Sequence, residues 1–253
     1  MTGSTPTAIE EAVRICETAA GEGITVRLAG GLAIQYLTPE FPPRGGDRQD
    51  LDLATLSRDR RPLTQFLAGR GYVADKTFNA LYGHKQLYFQ SAETGRSLDV
   101  LVDRLHMCHT VEFAGRLRRM PVTLDLTDLL LTKLQIVELN EKDAQDVLYL
   151  CSAYPVRDGD EPGTIGLDRI RPIVANDWGW WRTVTLNLDR IIALASDDHR
   201  KLIPAGGKHH PVEQLAVLAK AIDAAPKSLR WKARAKVGER VRWYEMPEET
   251  PHH

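Results

Sequence analysis

Apolar and polar positions along this chain change period several times, and each change marks an element. Between Pro6 and Ala20, Ile9, Val13, Ile15, Cys16 and Ala19 recur at helical spacing, which predicts an amphipathic helix closed by Gly21 and Gly23. Ile24 to Ala29 is β-rich and predicts a strand running straight into Gly30-Gly31, with a helix over Leu32 to Leu37 behind it. Thr38 to Arg48 holds Pro39, Pro42, Pro43, Gly45 and Gly46, which predicts a loop. Gln49 to Thr55 then alternates with a period of two. Asp50 and Asp52 fall on one face of the implied strand, Leu51 and Leu53 on the other. Asp59 to Gly69 predicts a helix with Pro62 in its first turn. Gln86 to Phe89 and Ser97 to Asp103 predict two strands joined by a hairpin loop that contains Gly95.

Helical spacing dominates the second half. Thr127 or Asp128 is placed to cap a helix reaching about Leu139, with Leu129, Leu130, Leu134, Ile136 and Val137 apolar and Lys133 interrupting that face. Asn140 begins a further helix. Tyr154 to Gly166, with Pro155, Gly159, Pro162 and Gly163, is the candidate linker. Beyond it, Trp178, Trp181, Thr185, Leu188 and Ile192 predict one helix face, and the Trp178-Gly179-Trp180-Trp181 cluster is read as packed core ahead of a base-stacking surface. Pro211 to Ala224 predicts another helix, with Val212, Leu215, Leu218, Ala219 and Ile222 inward. The fold class expected is α/β (α+β): a mixed sheet flanked by helices over residues 1–155, followed by a mostly helical region over 156–253 that ends in a basic tail.

Composition narrows the class. A chain of 253 residues buries a substantial core. Its formal net charge of −1 argues against a dedicated nucleic-acid coat and leaves room for a local basic face. Cys16, Cys108 and Cys151 lack metal-binding or redox spacing and suit a reducing compartment, so a cytoplasmic location is expected. Met1 to Thr7 carries no secretory pattern, and no apolar run is long enough for a bilayer, so no membrane partner is expected.

The chemistry-bearing positions are few. Two aspartates on one strand face repel, and a bridging divalent cation, Mg²⁺ or Mn²⁺, removes that repulsion. Asp99 offers a third carboxylate from a neighbouring strand, with a solvated face as the plainer reading. Gly30 and Gly31, between a strand and a helix N-terminus, let backbone N–H groups meet a phosphate; a tight turn is the plainer reading. Lys133 sits among leucines, where an ammonium needs an anion or reaches water. Asp143 and Asp146 share a helix face, although Asp143 also stands where a first-turn acid is expected. His209 and His210 have no completing ligand nearby and are read as surface. Lys227 to Arg242 carries seven basic residues against Glu239 alone, bracketed in part by Trp231 and Trp243; it is read equally as a polyanion-binding face or a solvated helix.

Together the order of Gly30-Gly31, Asp50-Leu51-Asp52, Leu98-Asp99-Val100, Lys133 and Lys142-Asp143-Ala144-Gln145-Asp146 resembles the nucleotidyltransferase fold of the polymerase-β superfamily, and within it the AbiEii-type toxin and minimal nucleotidyltransferase branch. The resemblance covers about Ile24 to Leu150; the loop from Thr38 to Gln49 lengthens the step between the glycine pair and the Asp-x-Asp. It implies Mg²⁺ on Asp50, Asp52 and Asp99, with Asp99 also assisting deprotonation of an acceptor hydroxyl. It implies NTP phosphates on Gly30, Gly31, Lys133 and Arg48, and Asp143 and Asp146 orienting Lys133 or the base. It implies transfer of an NMP group from an NTP to RNA, protein or a small molecule, an RNA acceptor being met by the basic tail, and a toxin with an antitoxin partner. A non-catalytic nucleotide- or RNA-binding module on the same fold is the alternative.

Overall fold

The computed structural model describes residues 6–43, 50–197 and 199–246. They pack as two compact units, one made of Met1–Pro39, Pro43–Leu105 and Glu112–Asp125, the other of Glu40–Pro42, His106–Val111 and Leu126–His253.

In the first unit, α1 (Ala8–Gly21) opens on a reciprocal cap. Thr7 Oγ1 accepts the Glu10 N–H, and the Glu10 carboxylate takes the Thr7 N–H. Its Ala12, Ile15, Cys16 and Ala19 are buried, close to the expected face. Glu11, on the same helix, is buried and paired with Arg96, and Tyr72 donates its hydroxyl to the same carboxylate. A mixed sheet carries β1 (Val26–Leu28), β2 (Leu51–Thr55), β3 (Tyr72–Ala74), β4 (Gln86–Ser91) and β5 (Ser97–Val102), in the order β1-β2-β5-β4-β3. Only β2 and β5 pair in parallel; the other neighbours are antiparallel. The chain makes that parallel pairing by way of α3 (Arg60–Ala68), β3, α4 (Lys76–Tyr82) and β4. Leu51, Leu53, Leu98 and Val100 are fully buried, each worth about 1.5–3 kcal/mol of transfer free energy. This burial fixes the register, because a slip of one residue would put the leucines out and the aspartates in. α2 (Gly30–Leu37) follows β1 directly, and the outer edge of β1 is covered where Leu28 exchanges hydrogen bonds with Val122 and Leu124.

The sequence did not announce β3 and α4. Each is a single short element, and α4 depends on the Asp75 side chain accepting the Phe78 N–H. After β5 the chain passes through a separate two-stranded sheet, β6 (Arg104–His106) and β7 (Thr110–Glu112).

The second unit is helical: α5 (Leu126–Leu134), α6 (Glu141–Ala153), α7 (Leu167–Asn176), α8 (Trp178–Ala195), α9 (Pro211–Ala224) and α10 (Leu229–Val237). Every residue of α5 is buried, as befits a helix packed by α6, α7 and α8. It stops at Leu134, short of the expected Leu139, because Asn187 Nδ2 donates to the Leu134 and Ile136 carbonyls at 2.9 and 2.7 Å. Thr127 and Asp128 lie inside α5 and do not precede it. The Thr127 hydroxyl accepts the Gly166 N–H, and Asp128 pairs with Arg169 at 3.0 Å. The segment read as a linker contains β8 (Val156–Arg157) and β9 (Ile165–Gly166), paired in parallel. On α8, Trp178 and Leu188 are buried as expected, with Trp180, Thr183, Val184, Asn187 and Ile191, whereas Trp181, Thr185 and Ile192 are half-buried, so the buried face is turned by about one position from the expected stripe. α9 has the expected bounds, and Leu215, Leu218 and Ile222 are buried.

Candidate active site

The first unit gathers three of the expected positions. Asp52 and Asp99 are direct register partners on the parallel strands β2 and β5, so their side chains leave the same face of the sheet side by side. Asp52 is exposed and Asp99 half-buried, while the leucines that alternate with them are sealed in the core. Asp99 Oδ1 accepts a hydrogen bond from Gln86 Nε2 at 2.6 Å, across the β4–β5 pair. Gln86 was not anticipated; the signal was a polar residue opening a strand that pairs with the one carrying Asp99.

Gly30 completes this arrangement. The Ala29 N–H donates to the Asp52 carbonyl at 2.8 Å, which ties the end of β1 to β2. The next residue, Gly30, has φ +63°, a conformation that favours glycine, and a Cβ there would fall within the space of the Asp52 carboxylate. Ala29 supplies no side-chain cap to α2, so its N-terminal turn presents backbone donors beside an acidic group. Gly31, half-exposed, is the second residue of that helix. Asp50 is exposed and lies one residue ahead of β2. Among the described residues no three His, Cys, Asp or Glu side chains gather as a group able to hold a metal ion, so Asp52 and Asp99 stand as a pair. Arg48 lies outside the described residues. Asp103, at the end of the same strand, is turned to local work: it has φ +63° and accepts the Ser57 N–H at 2.9 Å.

The second unit brings together Lys133, Asp143 and Asp146. The buried Lys133 ammonium meets Asp143 Oδ1 at 2.8 Å and Asp146 Oδ2 at 2.9 Å. Burial alone would pull its pKa down; the carboxylates of Asp146 and Asp143 outweigh that and hold it above the ordinary lysine range. Asp143 also receives its own backbone cap from Asn140, whose side chain accepts the Asp143 N–H at 2.9 Å. Asp143 is thus both a first-turn acid of α6 and an ion-pair partner of Lys133. In the basic segment, Lys227 donates to the Ile222 carbonyl, and Arg234 donates to the Gly238 and Val241 carbonyls. Arg230, Lys232, Lys236, Arg240 and Arg242 remain exposed. His209 is half-buried and His210 exposed.

No protein-family model matches the chain, and no curated protein does. Among solved structures it is similar to the lincosamide antibiotic adenylyltransferase LnuA, lincomycin-bound, with 16% identity and a TM-score of 0.43, over 58% of this chain and 98% of that one. It is similar to ANT(2")-Ia in complex with adenylyl-2"-tobramycin, with 12% identity and a TM-score of 0.39, over 57% and 87%. It is also similar to an antigenic nucleotidyltransferase-like protein from Paracoccidioides brasiliensis, with 14% identity and a TM-score of 0.43, over 87% and 94%. At these values the likeness assigns the chain to no family.

Proposed function

We propose that this chain is a metal-dependent nucleotidyltransferase that moves an NMP group from an NTP to an acceptor hydroxyl. The observation that supports it is the Asp52–Asp99 pair on one sheet face, with Gly30 holding open the space over the Asp52 carboxylate. Carboxylate oxygens are the donors that Mg²⁺ or Mn²⁺ prefers, and two adjacent carboxylates otherwise repel, so Asp52 and Asp99 fit such an ion, with Asp50 standing apart from the pair. Bound there, the ion would supply charge neutralisation for the triphosphate and the leaving group.

The remaining chemistry falls to the chain. Backbone N–H groups at Gly30 and Gly31, at the positive end of α2, bind the β- and γ-phosphates. Asp99, oriented by Gln86, takes the proton of the acceptor hydroxyl. The hydroxyl oxygen forms a bond to the α-phosphorus, the bond to the bridging oxygen breaks, and pyrophosphate leaves. Lys133 is poorly placed to neutralise phosphate, because a phosphate would have to displace one of its two carboxylates. Its work in this reading is to hold Asp143 and Asp146 in place. The motif order shared with the AbiEii-type branch extends the proposal to a toxin restrained by an antitoxin; growth arrest on expression, lost in Asp52→Asn, tests that extension.

The central test is incubation with each α-labelled NTP, Mg²⁺ and total cellular RNA or protein. Label should move to one acceptor and fail to move with a chelator or in Asp52→Asn. NTP binding with no transfer to any acceptor would replace this reading with the non-catalytic nucleotide-binding module.

A further inference from the structure

The second unit contains a cavity of about 440 Å³ whose lining includes none of the residues assigned to transfer. That volume lies within the range of roughly 300–1,000 Å³ common for small-ligand sites. Its walls come from the first turn of α8, from His109 and its neighbours, and from the basic segment that includes α10 and runs on to Glu245.

Three arginines line it: Arg230, Arg234 and Arg242. Two carboxylates do too, and both are engaged. Asp177 caps α8, accepting the N–H groups of Gly179 at 2.7 Å and Trp180 at 3.1 Å. Glu245 pairs with His106 Nε2 at 2.7 Å. Arg234 is fixed by the Gly238 and Val241 carbonyls, 2.7 Å each, with its guanidinium over the Trp178 ring. Arg230 and Arg242 meet no carboxylate among the described residues and are exposed. The cavity is therefore electropositive, with two guanidinium forks available at its rim.

The aromatic wall is built with similar care for position. Trp243 Nε1 donates to Thr183 Oγ1 at 3.0 Å, and Gly179 leaves room for the chain to pass: a Cβ there would stand 2.5 Å from the Trp243 carbonyl. Trp243 and Tyr244 are half-buried; their rings meet edge to face at 5.4 Å, and the Arg242 guanidinium lies over the Tyr244 ring. Thr183 Oγ1 also lies 2.8 Å from His109 Nε2. The indole N–H fills one of the two acceptor sites on that oxygen, and His109 Nε2 is the one acceptor the Thr183 hydroxyl hydrogen meets among the described residues, so we assign the ring proton of His109 to Nδ1. Nδ1 has no partner among the described residues, so it is a donor without an acceptor in a cavity wall.

Flat aromatic surface, free guanidinium forks and an unfilled neutral donor together match one ligand chemistry. We propose that this cavity binds a nucleoside monophosphate, its base against Trp243 and Tyr244 and its phosphate on Arg230 and Arg242. The nucleotide is either free or the end residue of an unpaired strand. The site is independent of the transfer reading, because binding here needs neither divalent metal nor triphosphate.

The test is titration of the full chain in chelator with AMP, CMP, GMP and UMP, followed by tryptophan fluorescence, in wild type and in Asp52→Asn. Saturable quenching with the same affinity in both is expected. Arg230→Ala/Arg242→Ala should weaken it about ten- to hundredfold, the loss of one to two charge-assisted contacts, with an unchanged melting temperature. Tyr244→Ala should weaken it without changing its salt dependence. A labelled unpaired oligoribonucleotide is the second arm: tighter binding than the mononucleotides assigns the site to a strand end, equal binding to the free nucleotide. Absence of quenching, quenching insensitive to the arginine pair, loss in Asp52→Asn, or equal affinity for nucleosides without phosphate would each overturn the proposal.

Discussion

Asp52 and Asp99 face each other across the parallel β2–β5 pair, two acidic side chains at one register position. Like charges set directly opposite destabilise a sheet. Asp52→Asn and Asp99→Asn should therefore melt no earlier than wild type. The same variants should lose nucleotidyl transfer by about a hundredfold or more, the scale of removing a group that stabilises developing charge. Transfer assays beside thermal melts check the pair of expectations; an early-melting asparagine variant would make the aspartates structural.

Gly30→Ala meets two obstacles, positive φ and the Asp52 carboxylate. Strain alone should cost about 1–2 kcal/mol, and roughly 2–8 °C in melting temperature for a chain of this size. Gly23 has φ +78° with open space around its Cβ, so Gly23→Ala is the control. It should lose comparable stability and keep its activity, whereas Gly30→Ala should lose both.

Much of this arrangement was legible from residues alone, and the failures have particular causes. α1 and α9 were visible because each is amphipathic, with Gly21 and Gly23 marking the end of the first and Pro211 the start of the second. The Asp-Leu-Asp strand was visible because a period of two is unmistakable when leucines alternate with acids. α5 gave a misleading length, since its end is set by Asn187, a residue more than fifty positions away. The α8 face was misjudged by one position because apolar tryptophans flank both candidate stripes. The carboxylates on Lys133 were anticipated as its orienting partners; that they would occupy its ammonium was not, because spacing conveys a shared face and conveys nothing about distance.

Lys133→Met keeps most of the side-chain stem and removes the ammonium. With both carboxylates on the ammonium, the variant strands two buried acids and should lose about 3–5 kcal/mol. Adding Asp143→Asn and Asp146→Asn should recover part of that loss. Because the folded pKa of Lys133 is raised above the ordinary lysine value of 10.5, its contribution is complete at neutral pH and declines only as pH climbs beyond that value. Alkaline melts of wild type should show this decline, and those of Lys133→Met should not.

His109 behaves in the opposite direction. Burial lowers its pKa from 6.5 to about 4, against the weaker pull of Asp177 and Glu245. The unfolded chain takes up this proton first, so the stabilising contribution is whole above 6.5 and falls away as pH drops towards 4. His109→Gln should flatten the melting curve across that acid interval. An unchanged pH dependence would show that the ring is more hydrated than its setting implies.

The parallel pairing of β2 with β5 has a consequence for the newly made chain. β4 and β5 are neighbours in sequence and close a short loop, whereas β2 meets β5 across all the intervening elements, and such long closures are slow. Until that strand docks, Asp99 has Gln86 across β4 but not Asp52 beside it, so the paired acidic face comes into being only as the sheet closes.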